Sequence, residues 1–227
     1  MNICILSLPR SGTRYFSNLV AMSPVITELI DEPFNTGFAD RMQEDYITQC
    51  NTALNYILKI KDGVLIRDNI SYYATELYRD NDLRILDFID RYTQHLNKNF
   101  STIKLLRNNI FDQALSNCIL TTNNILVTYH DTPVVRCTID LQTFKERLSM
   151  YYVRHIQLAS ISTDYTVKYD DITGDYETDW QLINFLPKPA EFINFGGIQN
   201  HPKQQTVINY NELYDWYQAH KSEYSLY

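Results

Sequence analysis

Asn2-Ile3-Cys4-Ile5-Leu6-Ser7-Leu8-Pro9-Arg10-Ser11-Gly12-Thr13-Arg14 is the stretch that decides the reading of this chain. Asn2 to Leu8 is a short apolar run suited to a strand buried on both faces. Pro9 and Gly12 break it, and Tyr15, Phe16, Leu19 and Val20 then recur at helical spacing. The opening unit is therefore strand, tight loop, helix. A helix start offers unpaired backbone N–H groups and the positive end of the helix dipole, so this junction is a candidate anion site. Gly12 allows the backbone to approach an anion closely, Ser11 and Thr13 add hydroxyl donors, and Arg10 and Arg14 add guanidinium charge. The loop is not a Walker A motif, because Thr13 follows Gly12 with no lysine between them.

Outward from this unit, strands alternate with helices. Val25 to Ile30 suggests a second strand, ended by Glu32-Pro33, and about 38–61 reads as helix up to Asp62-Gly63. Val64 to Ile66 gives a third strand, leading into Arg67-Asp68-Asn69. Ile85, Leu86, Ile89, Tyr92 and Leu96 mark an amphipathic helix. Thr102 to Leu106 is a fourth strand, and Ile110 to Leu120 a helix. Ile125–Tyr129 and Val134–Ile139 suggest a hairpin or lid within 122–139. A long helix carries Leu141, Phe144, Leu148, Tyr151, Leu158 and Ser162, and Tyr165 to Tyr169 is a fifth strand. Helices near Trp180–Phe185 and from Glu212 complete the chain. This order predicts one α/β domain over 1–227: a three-layer parallel sheet with helices on both faces. Polar residues cluster after each strand, where open α/β sheets bind ligands.

Composition narrows the function. A net charge of −7 argues against a nucleic-acid partner, which calls for a basic face, but leaves room for a local anion site. No run approaches the length of a membrane helix, and Ile3 to Leu8 is too short for a signal peptide. Cys4, Cys50, Cys118 and Cys137 form no CxxC pair, which suits core thiols in a reducing, cytoplasmic setting. His95, His130, His155, His201 and His220 are scattered without metal-ligand spacing and read as surface or core residues, so no metal is expected.

Pro9-Arg10-Ser11-Gly12-Thr13 resembles the 5′-phosphosulfate loop of sulfotransferases that use 3′-phosphoadenosine 5′-phosphosulfate (PAPS) as donor. The resemblance implies a P-loop-like sulfotransferase fold, closer to bacterial and carbohydrate-type members, with Arg10 on the 5′-phosphate beside the sulfate. Leu105-Leu106-Arg107 through Ser116 resembles the family segment whose Arg and Ser share the donor's 3′-phosphate. The family spacing is eight positions, whereas Arg107 to Ser116 is nine and Asn108 fills the eight-position slot. Leu65-Ile66-Arg67-Asp68-Asn69 resembles a strand end where cytosolic members carry Lys-Thr-His. Arg67 fits the sulfuryl-steadying role of that Lys, but Asn69 cannot act as a base because an amide does not titrate near neutrality. Val167-Lys168-Tyr169-Asp170-Asp171 resembles the strand whose Tyr contacts adenine, and Lys203-Gln204-Gln205 a C-terminal segment that adds charge near the 3′-phosphate.

Asp31-Glu32-Pro33 resembles carbohydrate sulfotransferases, where a Glu before Pro is the base; Glu32 is the candidate, with Asp31 and Asp68 its rivals. The implied reaction transfers a sulfuryl group to a hydroxyl or amine acceptor, a small molecule or carbohydrate, and releases adenosine 3′,5′-bisphosphate (PAP). The alternatives are a non-catalytic PAP or nucleotide-binding module and a small P-loop kinase, the latter weakened by the missing lysine.

Overall fold

The computed structural model describes residues 1–33, 54–60, 62–69, 83–123, 136–193 and 203–225. Five strands form one parallel sheet in the order β2-β3-β1-β4-β5. They are β1 Ile3–Ser7, β2 Glu28–Asp31, β3 Val64–Asn69, β4 Ser101–Leu106 and β5 Tyr165–Lys168. The main helices are α1 Thr13–Ala21, α2 Leu83–Asn99, α3 Ile110–Thr122 and α4 Leu141–Ser160. Three shorter ones follow: α5 Tyr176–Asp179, α6 Lys203–Thr206 and α7 Tyr210–His220.

β1 is buried throughout, as its unbroken apolar run predicts. Its alternate side chains feed two cores. Ile3 and Ile5 pack with Tyr15, Phe16 and Leu19 of α1 and with Trp180 and Ile183, while Cys4 and Leu6 pack with residues of α2, α3, α4 and α7. Helices therefore cover both faces, which makes the three layers expected from the alternation of strands and helices.

That arrangement also creates the crevice. β1 and β4 are neighbours, Ser7 lying opposite Leu105. The helix after β1 packs on one face and the helix after β4 on the other. Where two adjacent parallel strands send their connections to opposite faces, a cleft opens beyond their C-terminal ends. Lys104 shows how tightly the layers close: it is almost wholly buried, yet its ammonium donates to the Ala159 carbonyl at 3.0 Å, in the last turn of α4.

Several boundaries differ from the sequence reading. β2 begins at Glu28, because Ile26 N–H bonds back to the Ser23 carbonyl at 2.9 Å in a turn. β3 runs on through Arg67 and Asp68 to Asn69, since Leu6 and Ser7 of β1 pair with those last two residues. The long helix stops at Ser160, before Ser162. The segment near Trp180 is α5 followed by a 3₁₀ turn at Trp180–Ile183, with Asp175 capping its start through Thr178 N–H at 2.8 Å. Most of the expected hairpin at 122–139 and of the helix at 38–61 lies outside the described residues. Of the former, Cys137 bridges in parallel to Val207; of the latter, 54–57 are helical.

Asp179 ties α1 to the turn at 173–179. Its buried carboxylate accepts from the Tyr15 hydroxyl at 2.7 Å, from Thr173 N–H and Oγ1 at 2.8 Å each, and from Gly174 N–H at 3.0 Å. Asp179→Ala strands all four donors, and we expect a loss of about 3 kcal/mol. For a chain this long that is a fall of roughly 10 °C in Tm. Thermal unfolding of the variant at the wild-type Tm would remove Asp179 from this role.

Candidate active site

Each strand delivers one candidate residue at the same edge of the sheet. Arg10 follows β1, Glu32 follows β2, Arg67 ends the apolar part of β3, Arg107 follows β4 and Tyr169 follows β5. β2 is separated from β1 by β3, so Glu32 stands two strand spacings from the loop, roughly 10 Å at the backbone.

The loop has unusual backbone geometry. Arg10 and Gly12 take left-handed φ values of 66° and 70°. For Arg10 this is a costly conformation, held in place by its surroundings. Gly12 is the N-cap of α1 and supplies no side-chain bond, and α1 has no acidic residue in its first turn. The helix start therefore lacks an internal anionic partner. Thr13 pairs with Ser7 (Oγ1 to Oγ 3.0 Å), Ser11 is fully buried, and Arg14 is exposed on the first turn.

Besides its left-handed φ, Gly12 is confined by a neighbouring side chain. A β-carbon there would run into Cε2 and Cδ2 of Tyr169, so the close neighbour of this glycine is an aromatic ring. Arg107 stacks on that same ring, its guanidinium carbon 4.5 Å from the centroid. Tyr169 thus links the loop to the residue after β4.

The crevice between β1 and β4 is crossed by side chains from both sides. Arg10 Nε donates to Ser116 Oγ at 3.0 Å, and Arg107 Nη1 donates to the Arg10 carbonyl at 2.7 Å. Asp112 accepts from Lys203 at 3.2 Å and lies 3.5 Å from Arg107 Nη2. Arg10, Ser116, Arg107, Tyr169 and Lys203 therefore form one cluster. Within it Ser116 contacts Arg10 directly. Burial lowers the pKa of Arg10 and of Lys203 from their usual values, and Arg107 lowers both further. Among the described residues, Asp112 is the carboxylate paired with Arg107 and Lys203 in this cluster of three cations.

Arg67 lies elsewhere along the edge. It is buried, and Nε and Nη2 grip both oxygens of Asp31 in a bidentate pair. Its Nη2 is 3.9 Å from Glu32 Oε1, and Glu32 N–H donates to the Arg67 carbonyl at 2.7 Å. Glu32 itself has a φ of 45°, the second left-handed non-glycine residue among those described. Asp68 is fully buried and its carbonyl lies 3.4 Å from Ser7 Oγ. Of the three carboxylates considered as base, Asp31 is committed to Arg67 and Asp68 is enclosed. Glu32 keeps a partly exposed side chain.

Two residues of the site went unrecognised in the sequence. Gln113, fully buried on α3, donates from Nε2 to the Pro9 carbonyl at 2.6 Å and to Ser11 Oγ at 2.9 Å. His155 Nε2 meets Gln113 Oε1 at 2.6 Å. A signal was present: His155 falls on the same helical stripe as Phe144, Leu148, Tyr151 and Leu158. Burial, then Arg107 nearby, pushes the His155 pKa from 6.5 down to about 4. The unfolded chain therefore binds a proton that the folded chain refuses between those values. Stability is full above the unfolded value and falls as pH drops toward the folded one, by roughly 3 kcal/mol for this group. His155→Phe should unfold with a shallower pH dependence across that window, and an unchanged slope would show that His155 is not held neutral.

The class these features define is an open parallel α/β protein with a helix start that has no side-chain cap at the crest of its central strand. No family model matches the chain, and no curated protein matches it. Among solved structures, the chain is similar to the crystal structure of the mouse sulfotransferase SULT7A1 complexed with PAP. Identity is 14% and the TM-score 0.43, over 81% of this chain and 56% of that one. The chain thus spans a little over half the length of that sulfotransferase. Among the described residues, no helix is long and apolar enough to cross a membrane.

Proposed function

We propose that this chain is a PAPS-dependent sulfotransferase acting on a hydroxyl or amine acceptor. The observation that carries the reading is the cluster across the β1–β4 crevice: Arg10 on Ser116, with Arg107 and Lys203 beside the uncapped start of α1. Cations and helix-start N–H groups on both sides of one cleft suit a ligand with two anionic ends, as the donor has.

In this reading Arg10 and the α1 amides hold the 5′-phosphosulfate, with Ser11, Gly12, Thr13 and Arg14 around it. Arg107, Ser116 and Lys203 take the 3′-phosphate, Tyr169 supports the adenine side, and 1–227 acts as one domain. The acceptor oxygen or nitrogen attacks sulfur as the bond from sulfur to the bridging phosphate oxygen breaks. PAP leaves with the negative charge, which Arg10 stabilises, with Arg67 assisting from the next strand. The acceptor's proton passes to Glu32. Remote binding of the 3′-phosphate orients the reacting end.

The direct test is ligand stabilisation without Mg²⁺. PAP at 100 times its Kd should stabilise the protein by roughly 2.7 kcal/mol, and so raise Tm by roughly 5–10 °C. AMP at the same concentration should do much less. Equal shifts would remove the 3′-phosphate site, and a requirement for Mg²⁺ with ATP would favour phosphoryl transfer. Tight PAP binding with no turnover on any acceptor would make the chain a non-catalytic binding module.

A further inference from the structure

Arg10 is gripped at three points, all from the stretch that ends β4 and begins α3. Its left-handed φ of 66° is a conformation that a side chain adopts at a cost and keeps only where its surroundings impose it. The dihedrals of a residue are set by the two rigid peptide planes on either side of it. The plane before Arg10 carries the Pro9 carbonyl, which accepts from Gln113 Nε2 at 2.6 Å. The plane after it carries the Arg10 carbonyl, which accepts from Arg107 Nη1 at 2.7 Å. The side chain is then caught at Nε by Ser116. Gln113 also donates to Ser11 Oγ, so both amide hydrogens of this fully buried residue go to the loop. The Pro9 carbonyl can only accept, which settles the orientation of the amide: nitrogen to the loop, Oε1 to His155 Nε2 at 2.6 Å. A glutamine amide has two near-equivalent orientations about its last torsion. Turned over, Gln113 would set its oxygen against the Pro9 carbonyl oxygen, and the His155 N–H opposes that turn.

We propose that Gln113, oriented by His155, is a positioning residue: with Arg107 it fixes both peptide planes at Arg10 and so aims the guanidinium at the bound anion. Gln113 and His155 act through Arg10 and do not touch the ligand. The inference rests on the proposed function only in taking PAP as the ligand that Arg10 meets.

Two measurements follow the effect, one of them without ligand. In isotope-labelled protein the Arg10 Nε–H resonance, identified by its loss in Arg10→Lys, should exchange slowly with solvent because it is bonded to Ser116. Gln113→Met keeps the length of the side chain but cannot donate. It should speed that exchange by about tenfold or more, measured against the Ile5 amide of β1 so that a global loss of stability is separated out. It should also raise the PAP Kd by about fivefold or more when Arg10 is present, and by less than about twofold in an Arg10→Ala background. A merely structural role would weaken binding by the same factor in both backgrounds. His155→Phe keeps Gln113 but frees its amide to turn, and should move both readouts the same way by about twofold or more. It stands in for Gln113→Met if that variant does not fold. The proposal is overturned if the Arg10 Nε–H exchanges at the same rate in wild type and variants, or if the loss of PAP affinity is the same with and without Arg10. If the wild type does not bind PAP, the sulfotransferase reading fails, and the Nε–H exchange alone decides the positioning role.

Discussion

Glu32→Gln should lower turnover by about 10²–10⁴-fold while leaving PAP affinity nearly unchanged. Glutamine keeps the size and hydrogen-bonding reach of the side chain but cannot take the acceptor's proton. Asp31 is the more exposed, at 49% against 24% for Glu32, but has both oxygens on Arg67, and Asp68 has no exposed surface. The left-handed φ of 45° turns the chain at Glu32, and the bond from its N–H to the Arg67 carbonyl fixes the backbone there. Asp68→Asn should cost less in turnover, and Asp31→Asn should act through Arg67, which loses its charged partner. Steady-state kinetics with a verified acceptor and PAP calorimetry together decide the matter. Normal turnover in Glu32→Gln would make Glu32 structural and return the role to Asp68.

Arg10→Ala should reduce kcat by about 10²–10³-fold and weaken donor binding as well, because in the proposed reaction charge develops beside this guanidinium. Its loss also breaks the span from loop to α3, since Arg10 Nε is the group bonded to Ser116. Ser116→Ala serves as the comparison: in the proposed 3′-phosphate role it should weaken PAP binding more than it lowers kcat. Arg10→Lys should recover part of the loss, since a point charge replaces the field but not the fork geometry of guanidinium. A variant of Arg10 that kept both wild-type kcat and PAP affinity would place the anion elsewhere on the sheet edge.

The sequence by itself determined the layers. An unbroken apolar run at Ile3–Leu6, a break at Pro9–Gly12 and a helical stripe from Tyr15 to Val20 specify strand, loop and helix, because burial pattern and turn chemistry are local properties. Arg10, Arg67, Arg107 and Tyr169 were legible as candidates for the same reason: each sits at or just after a strand. Only the tertiary structure decided who meets whom. Strand order puts β4 beside β1, and the opposite faces taken by α1 and α3 open the crevice between them. The register of α3 then brings Ser116 to Arg10 across 106 positions, and leaves Arg107 to the loop carbonyl and to Tyr169. Asp31, plausible as a base from its neighbours in sequence, is bound to Arg67 because β2 and β3 pair with those two residues side by side. Gln113 and His155 are 42 positions apart and belong to different helices. Hydrophobic periodicity marks the buried face of each helix, but a polar residue on that face shows its purpose only once packing supplies the partner.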